Sequence, residues 1–283
     1  MKMKKKEKFR VAVLLTGQLR TWEVCKLGIR GYFDNGVKNM YNGWTRDFET
    51  DYFLHTWDIN SWRNTKEPHG FPEAFDIEKI PEDSKQKLKD FYNPKSIEIE
   101  KFEDFGHPWL PMFYSFTKAN QAKRNYEIQN NFVYDLVIKT RFDTLFVLPE
   151  DRKSQVPMTI LKPDSDYGSR TAWSIAPELT KRFDEFNYFT FHDVAWYSDS
   201  GTMDMISNIY FDVKNGEKNP WKNTYGPGTI IYDFCVRNSI KPTTMYDVST
   251  MVARKDSLDA GLKWPKDSEL ICKHAHDFHA CAV

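Results

Sequence analysis

The chain has 283 residues, with 40 Lys and Arg balancing 40 Asp and Glu for a formal net charge of zero, and 40% of its residues are hydrophobic. That length supports a self-sufficient core in one large or two small domains, which excludes a disordered segment and a disulfide-dense miniature fold. Zero net charge argues against a protein whose main task is coating nucleic acid, and the longest unbroken apolar run, residues 11–15, falls far short of the roughly 18 residues that span a bilayer.

Residues 1–8 carry five Lys and read as a solvated, mobile basic tail, with no apolar stretch behind them long enough for the core of a signal peptide. Residues 10–17, RVAVLLTG, form a continuous aliphatic run ended by Gly, the pattern of a strand buried on both faces of a parallel sheet. A loop and helix follow over 18–32, then a second strand over 51–56, DYFLHT, and a Trp-rich loop to about residue 72. A Pro at a first helical position and apolar residues at helical spacing predict a helix over 81–92, and 97–102 reads as a strand. Residues 112–130 contain no Gly or Pro and carry an apolar stripe of Phe113, Phe116, Ala119 and Tyr126, which predicts a long helix. A buried strand over 135–140 runs directly into Arg141, Phe142 and Asp143. The second half is less periodic: strands are expected over 158–162, 188–197 and 243–247, and helices over 202–210 and 229–238. With no repeat or Pro/Gly/Ser-rich linker, the alternation of strands and helices predicts one α/β domain with helices on both sheet faces.

Signatures of phosphate-loop kinases, Rossmann dehydrogenases, nucleophile-elbow hydrolases and zincin proteases are missing from the sequence. Cys25, Cys235, Cys272 and Cys281 show no Cys-x-x-Cys spacing, which suits a reducing, cytoplasmic setting. Since α/β sheets bind ligands at the carboxyl ends of their strands, three polar clusters share one expected address. These are Thr16 to Arg20 after the first strand, His55 to Asp58 after the second, and Arg141 to Asp143 after the fourth.

The segments VAVLLTGQLRTW, DYFLHTWD, FYSFTKANQAKRNYE and YDLVIKTRFDTLF, in this order over the first 150 residues, resemble a group of glycosyltransferases with a GT-A-like fold. Members of that group occur in bacterial polysaccharide clusters, phages and large DNA viruses. The resemblance implies a nucleotide-sugar-binding half over 9–150 and an acceptor-side half over 151–283 of one domain. It implies a nucleotide-diphosphate sugar as donor, a UDP-sugar foremost, and a glycan or the hydroxymethylated base of phage-type DNA as acceptor. On this reading Thr16, Gly17, Gln18, Arg20, His55, Trp57, Asp58, Ser115 and Lys118 face the donor, Ser115 and Lys118 lying one turn apart on the long helix. Arg20 suits a diphosphate, because a planar guanidinium makes paired charge-assisted bonds to phosphate oxygens, and Arg141 would place a fixed positive charge near the phosphates or bind the ribose.

The family's metal motif, Asp-x-Asp, holds Mg²⁺ or Mn²⁺ against the donor phosphates. Here the strand ends Arg141-Phe142-Asp143, which keeps only the second carboxylate, so Asp143 is the expected ligand. A literal Asp-x-Asp at Asp164 and Asp166 falls in a loop-like stretch. The family's C-terminal His ligand would correspond to His276 or His279. Asp193 and Asp199 are candidates for the base that deprotonates the acceptor hydroxyl; Asp199 is also suited to capping the helix after it. Two other classes compete. The tail with His274, His276, His279, Cys272 and Cys281 would suit a zinc-dependent hydrolase, and the incomplete Asp-x-Asp would suit a non-catalytic nucleotide-sugar-binding module.

Overall fold

The computed structural model describes residues 9–31, 33, 48–60, 78–105, 109–147, 188–191, 195–215, 227–244 and 249–252. In chain order they form β1 (Phe9–Thr16), α1 (Trp22–Gly31), β2 (Phe48–Trp57), α2 (Ser84–Tyr92), β3 (Ser96–Glu100), α3 (Leu110–Asn130), β4 (Leu136–Arg141) and β5 (Thr144–Val147). They continue with β6 (Tyr188–Phe191), β7 (Trp196–Ser198), α4 (Ser200–Ile206), α5 (Ile209–Asn215), α6 (Pro227–Arg237), β8 (Lys241–Thr244) and β9 (Ser249–Val252).

Seven strands make one sheet in the order β3-β2-β1-β4-β7-β6-β8, and β5 pairs with β9 outside it. β1 to β4 are mutually parallel, β7 runs antiparallel to β4 and β6, and β8 is parallel to β6. This is the α/β class that the strand–helix alternation predicts. β1 is apolar throughout because both of its faces are covered. Val11, Val13 and Leu15 pack with Trp22, Cys25 and Ile29 of α1 and Leu88 and Tyr92 of α2. Ala12 and Leu14 pack on the other side with Phe113, Phe116 and Ala119 of α3 and with apolar residues of α4, α5 and α6.

The long helix ends for local reasons. Pro111 sits in its first turn, where its missing N–H costs nothing, and Asn131 closes it in the left-handed region at φ 53° with its N–H turned back to the Glu127 carbonyl. Two expectations need correction. Residues 188–197 are two antiparallel strands, β6 and β7, in place of one. Residues 202–210 are divided between α4 and α5 at Ser207, where Ser207 Oγ donates to the Asp204 carbonyl (2.7 Å), a local bond that competes with helix continuation, and Thr117 Oγ1 of α3 donates to the Ser207 carbonyl (2.6 Å). The short β5 and β9 were not anticipated, while the basic tail over 1–8 and the expected strand over 158–162 lie outside the described residues.

Candidate active site

The sheet order reverses between β1 and β4: β2 and β3 extend the sheet on one side of β1, and β4 returns on the other. α1 and α2 cover one face and α3 the opposite one. In open α/β sheets such a reversal opens a crevice at the carboxyl ends of the strands. Thr16 marks that edge, paired with His55 on one side and Arg141 on the other.

Gly17 follows at φ 99°, a left-handed conformation that favours glycine, and a Cβ there would meet nothing within 4 Å, so open space lies above the backbone. Its N–H is held by Ser115 Oγ of α3 at 2.9 Å. Arg20 is also left-handed, at φ 45°. For a non-glycine residue this costs about 1–2 kcal/mol, and the conformation is pinned by its N–H to Asn60 Oδ1 (3.1 Å) and its Nε to Gln18 Oε1 (2.9 Å). The result aims its guanidinium across the edge at Asp143, with Nη1 3.1 Å from Oδ2.

Arg141 reaches the same carboxylate with two bonds, Nε to Oδ1 at 2.8 Å and Nη2 to Oδ2 at 2.7 Å. Burial alone would raise the Asp143 pKa, but the Arg141 and Arg20 guanidiniums outweigh it and hold the carboxyl below its ordinary value. Asp143 is 1% exposed, whereas the Arg20 and Arg141 side chains remain 30% and 26% exposed. Two cations therefore reach solvent around one buried anion.

This arrangement does not fit a divalent ion at Asp143. Such an ion needs carboxylate oxygens open to it, and here both oxygens are engaged by guanidiniums. Asp143, the expected metal ligand, here anchors two arginines.

The other expected donor contacts divide by burial. His55, Trp57 and Ser115 are buried beneath the edge and support it instead of lining it. Ser115 Oγ lies 2.9 Å from His55 Nδ1 and donates to the His55 carbonyl at 3.1 Å. Burial lowers the His55 pKa to about 4, so the ring is neutral. Trp57 packs at 5.4 Å against the Tyr114 ring and edge-on to His55, Phe102 and Phe105. Asp58 closes the next turn by accepting the Phe102 N–H at 2.8 Å. Thr16 is buried, and Lys118 pairs with Glu100 at 2.7 Å and Glu98 at 3.4 Å. Gly17, Gln18 and Arg20 are the partly exposed members of the expected donor set beyond β1.

Asp199 is the N-cap of α4, accepting the Thr202 N–H at 2.9 Å. Because β7 is antiparallel to β4 and Ser198 lies opposite Val137, Asp199 sits at the amino edge of the sheet, away from Arg141 and Asp143. Of the two sequence-based readings of Asp199, the capping one is visible in the structure. Asp193 and His276 lie outside the described residues, as do His274, His279, Cys272, Cys281, Asp164 and Asp166. Cys25 and Cys235 are buried and their thiols are pushed up to about 12 by burial, which leaves neither as a thiolate nucleophile.

Sequence reasoning missed Asn60, Tyr114, Glu98 and Glu100. The signal for the two glutamates is the alternation SIEIE in β3, which puts both on one face, with Glu98 in parallel register with His55. Potential ligand atoms of His55, Glu98 and Glu100 lie within 4.8 Å of one another, a set able to hold a metal ion.

No protein-family model and no curated protein matches the sequence. Among solved structures, the chain is similar to the apo-form glycosyltransferase GlyE of Streptococcus pneumoniae TIGR4, at 9% identity and a TM-score of 0.36, over 83% of this chain and 45% of that one. The chain thus spans under half the length of that structure. The mixed α/β layout is the class anticipated from the sequence. No helix among the described residues is long and apolar enough to cross a membrane.

Proposed function

We propose that the protein is a glycosyltransferase that takes a nucleotide-diphosphate sugar, a UDP-sugar foremost, and passes the sugar to a hydroxyl of a glycan or of a hydroxymethylated DNA base. The observation that supports this reading is the convergence of Arg20 and Arg141 on buried Asp143 at the strand-order reversal, next to the open space over Gly17. Anchored guanidiniums are pre-oriented for a diphosphate and need no reorganisation as charge grows on it. The acceptor oxygen attacks the anomeric carbon, the bond from that carbon to the diphosphate oxygen breaks, and Arg20 and Arg141 take up the negative charge on the departing nucleoside diphosphate. The acceptor proton passes to a base, for which Asp193 is the candidate from sequence.

The test is a thermal-shift series with UDP-, GDP-, CMP- and dTDP-sugars, each with Mn²⁺ and with EDTA. A ligand that binds only the folded state raises the melting temperature. We expect one nucleotide to stabilise the protein, to do so in EDTA as well, and to lose about 10–100-fold in affinity in Arg141→Met, as removal of charged hydrogen bonds worth about 1.5–3 kcal/mol requires. No shift with any of the four nucleotides overturns the reading. A shift without sugar transfer or donor hydrolysis would make the chain a nucleotide-sugar-binding module.

A further inference from the structure

Beneath the carboxyl edge, β2 and β3 bring together three groups that the donor site does not use. His55 is 0% exposed. Its carbonyl can only accept, so the Ser115 hydroxyl proton goes there, at 3.1 Å. Ser115 Oγ then accepts from the Gly17 N–H and from the imidazole Nδ1–H, both at 2.9 Å. The ring is left with its lone pair on Nε2, which is buried and has no hydrogen-bond partner. It faces Glu100 Oε2 at 3.7 Å, so two acceptors confront each other across a gap. A buried arrangement of this kind is unfavourable unless positive charge stands between them.

We infer that His55 Nε2, Glu98 and Glu100 form a site for a divalent transition-metal ion of the zinc type, for which the Lys118 ammonium competes. One imidazole nitrogen and two carboxylate oxygens suit zinc with a coordination position to spare, and the imidazole disfavours Mg²⁺ and Ca²⁺. The ligand atoms, now within 4.8 Å of one another, need to close by only about 1 Å to share an ion with bonds of about 2.0–2.2 Å. The outer contacts of a metal site are already in place: Ser115 fixes the tautomer and orientation of His55, and Tyr114 Oη donates to Glu100 Oε2 at 2.8 Å. Lys118 Nζ lies on the other oxygens, 2.7 Å from Glu100 Oε1 and 3.4 Å from Glu98 Oε1. With its side chain 28% exposed, it can swing to solvent when the ion arrives. This site stands independently of the donor reading.

The test is calorimetric titration of the EDTA-stripped full chain with zinc chloride, with elemental analysis after desalting. The expected result has three parts. One equivalent binds the wild type, Glu98→Gln weakens that binding by about tenfold or more, as loss of a ligand should when even outer-shell changes cost about 10–100-fold, and Lys118→Met tightens it. Glu98 is at the surface, and a gain of affinity in Lys118→Met cannot arise from misfolding. Zinc binding that neither variant changes would put the ion elsewhere, for instance on the C-terminal His and Cys residues, and overturn the proposal. Absence of binding in Lys118→Met would overturn it as well.

Discussion

The two edges of the sheet both bury ions, in opposite ways. At the amino edge Lys123, 0% exposed, is enclosed by Glu127 at 3.0 Å, Asp204 at 2.9 Å and the Ser200 hydroxyl. Ser200 Oγ donates to Glu127 Oε1 at 2.7 Å, the same oxygen that accepts the Tyr134 N–H at 2.8 Å. There one buried cation is shared by two carboxylates, and Arg124 stands 3.9 Å from Asp204 on the exposed side. At the carboxyl edge one buried anion is shared by two cations that reach solvent, held in place by a left-handed Arg20. A network closed on itself fastens elements together, whereas guanidiniums held in fixed orientation at a strand-end edge suit an anionic partner.

The largest expected effect tests the closed network. Lys123→Met leaves Glu127 and Asp204 without their buried cation and should cost about 3–5 kcal/mol of stability in urea denaturation, while any donor-induced thermal shift persists in the folded fraction. A loss below about 1 kcal/mol would show that the amino edge does not fasten the fold.

A smaller effect concerns Asp143. Its folded pKa is below the ordinary 3.8, so its contribution is present above pH 3.8 and is lost as pH falls through the lower folded value. Asp143→Asn should therefore cost about 2 kcal/mol near neutrality, the worth of a hydrogen bond to a charged group. The gap to wild type in chemical denaturation should narrow below pH 3.8. A gap that stays constant across that range would mean the guanidiniums do not depend on the carboxylate.

The smallest effect separates the edges by function. Asp199→Ala should lose about 1 kcal/mol of stability, the worth of an N-cap, and leave sugar transfer from the donor unchanged. A collapse of turnover with unchanged stability would return Asp199 to the acceptor side.

How much was legible in the sequence follows from how local each signal is. β1, β4 and α3 could be read because continuous burial or an unbroken helical stripe lies in neighbouring residues. The clustering of Arg20 with Arg141 was also legible, since both follow strands of one parallel sheet. The pairing of Asp143 with Arg20 was not, because it joins residues 123 positions apart. Trp57 and His55 looked like ligand contacts at a strand end, yet α3 packs over them, and only the tertiary fold decides which side of a strand end is covered. The antiparallel pair β6 and β7 hid in a ten-residue run rich in β-prone aromatic and aliphatic residues, with no Gly or Pro to mark a break.

α3 touches both edges through two polar side chains. Ser115 grips the Gly17 turn at one end, and Glu127 receives the Tyr134 N–H at the other, 127 − 115 = 12 residues along. At 1.5 Å per residue that is a strut of about 18 Å. Its fixed span sets the phase of the helix against the strands, so adding or removing one residue between these grips would turn one of them away by about 100°. The crevice turn and the far ion network are thereby gauged by a single ruler.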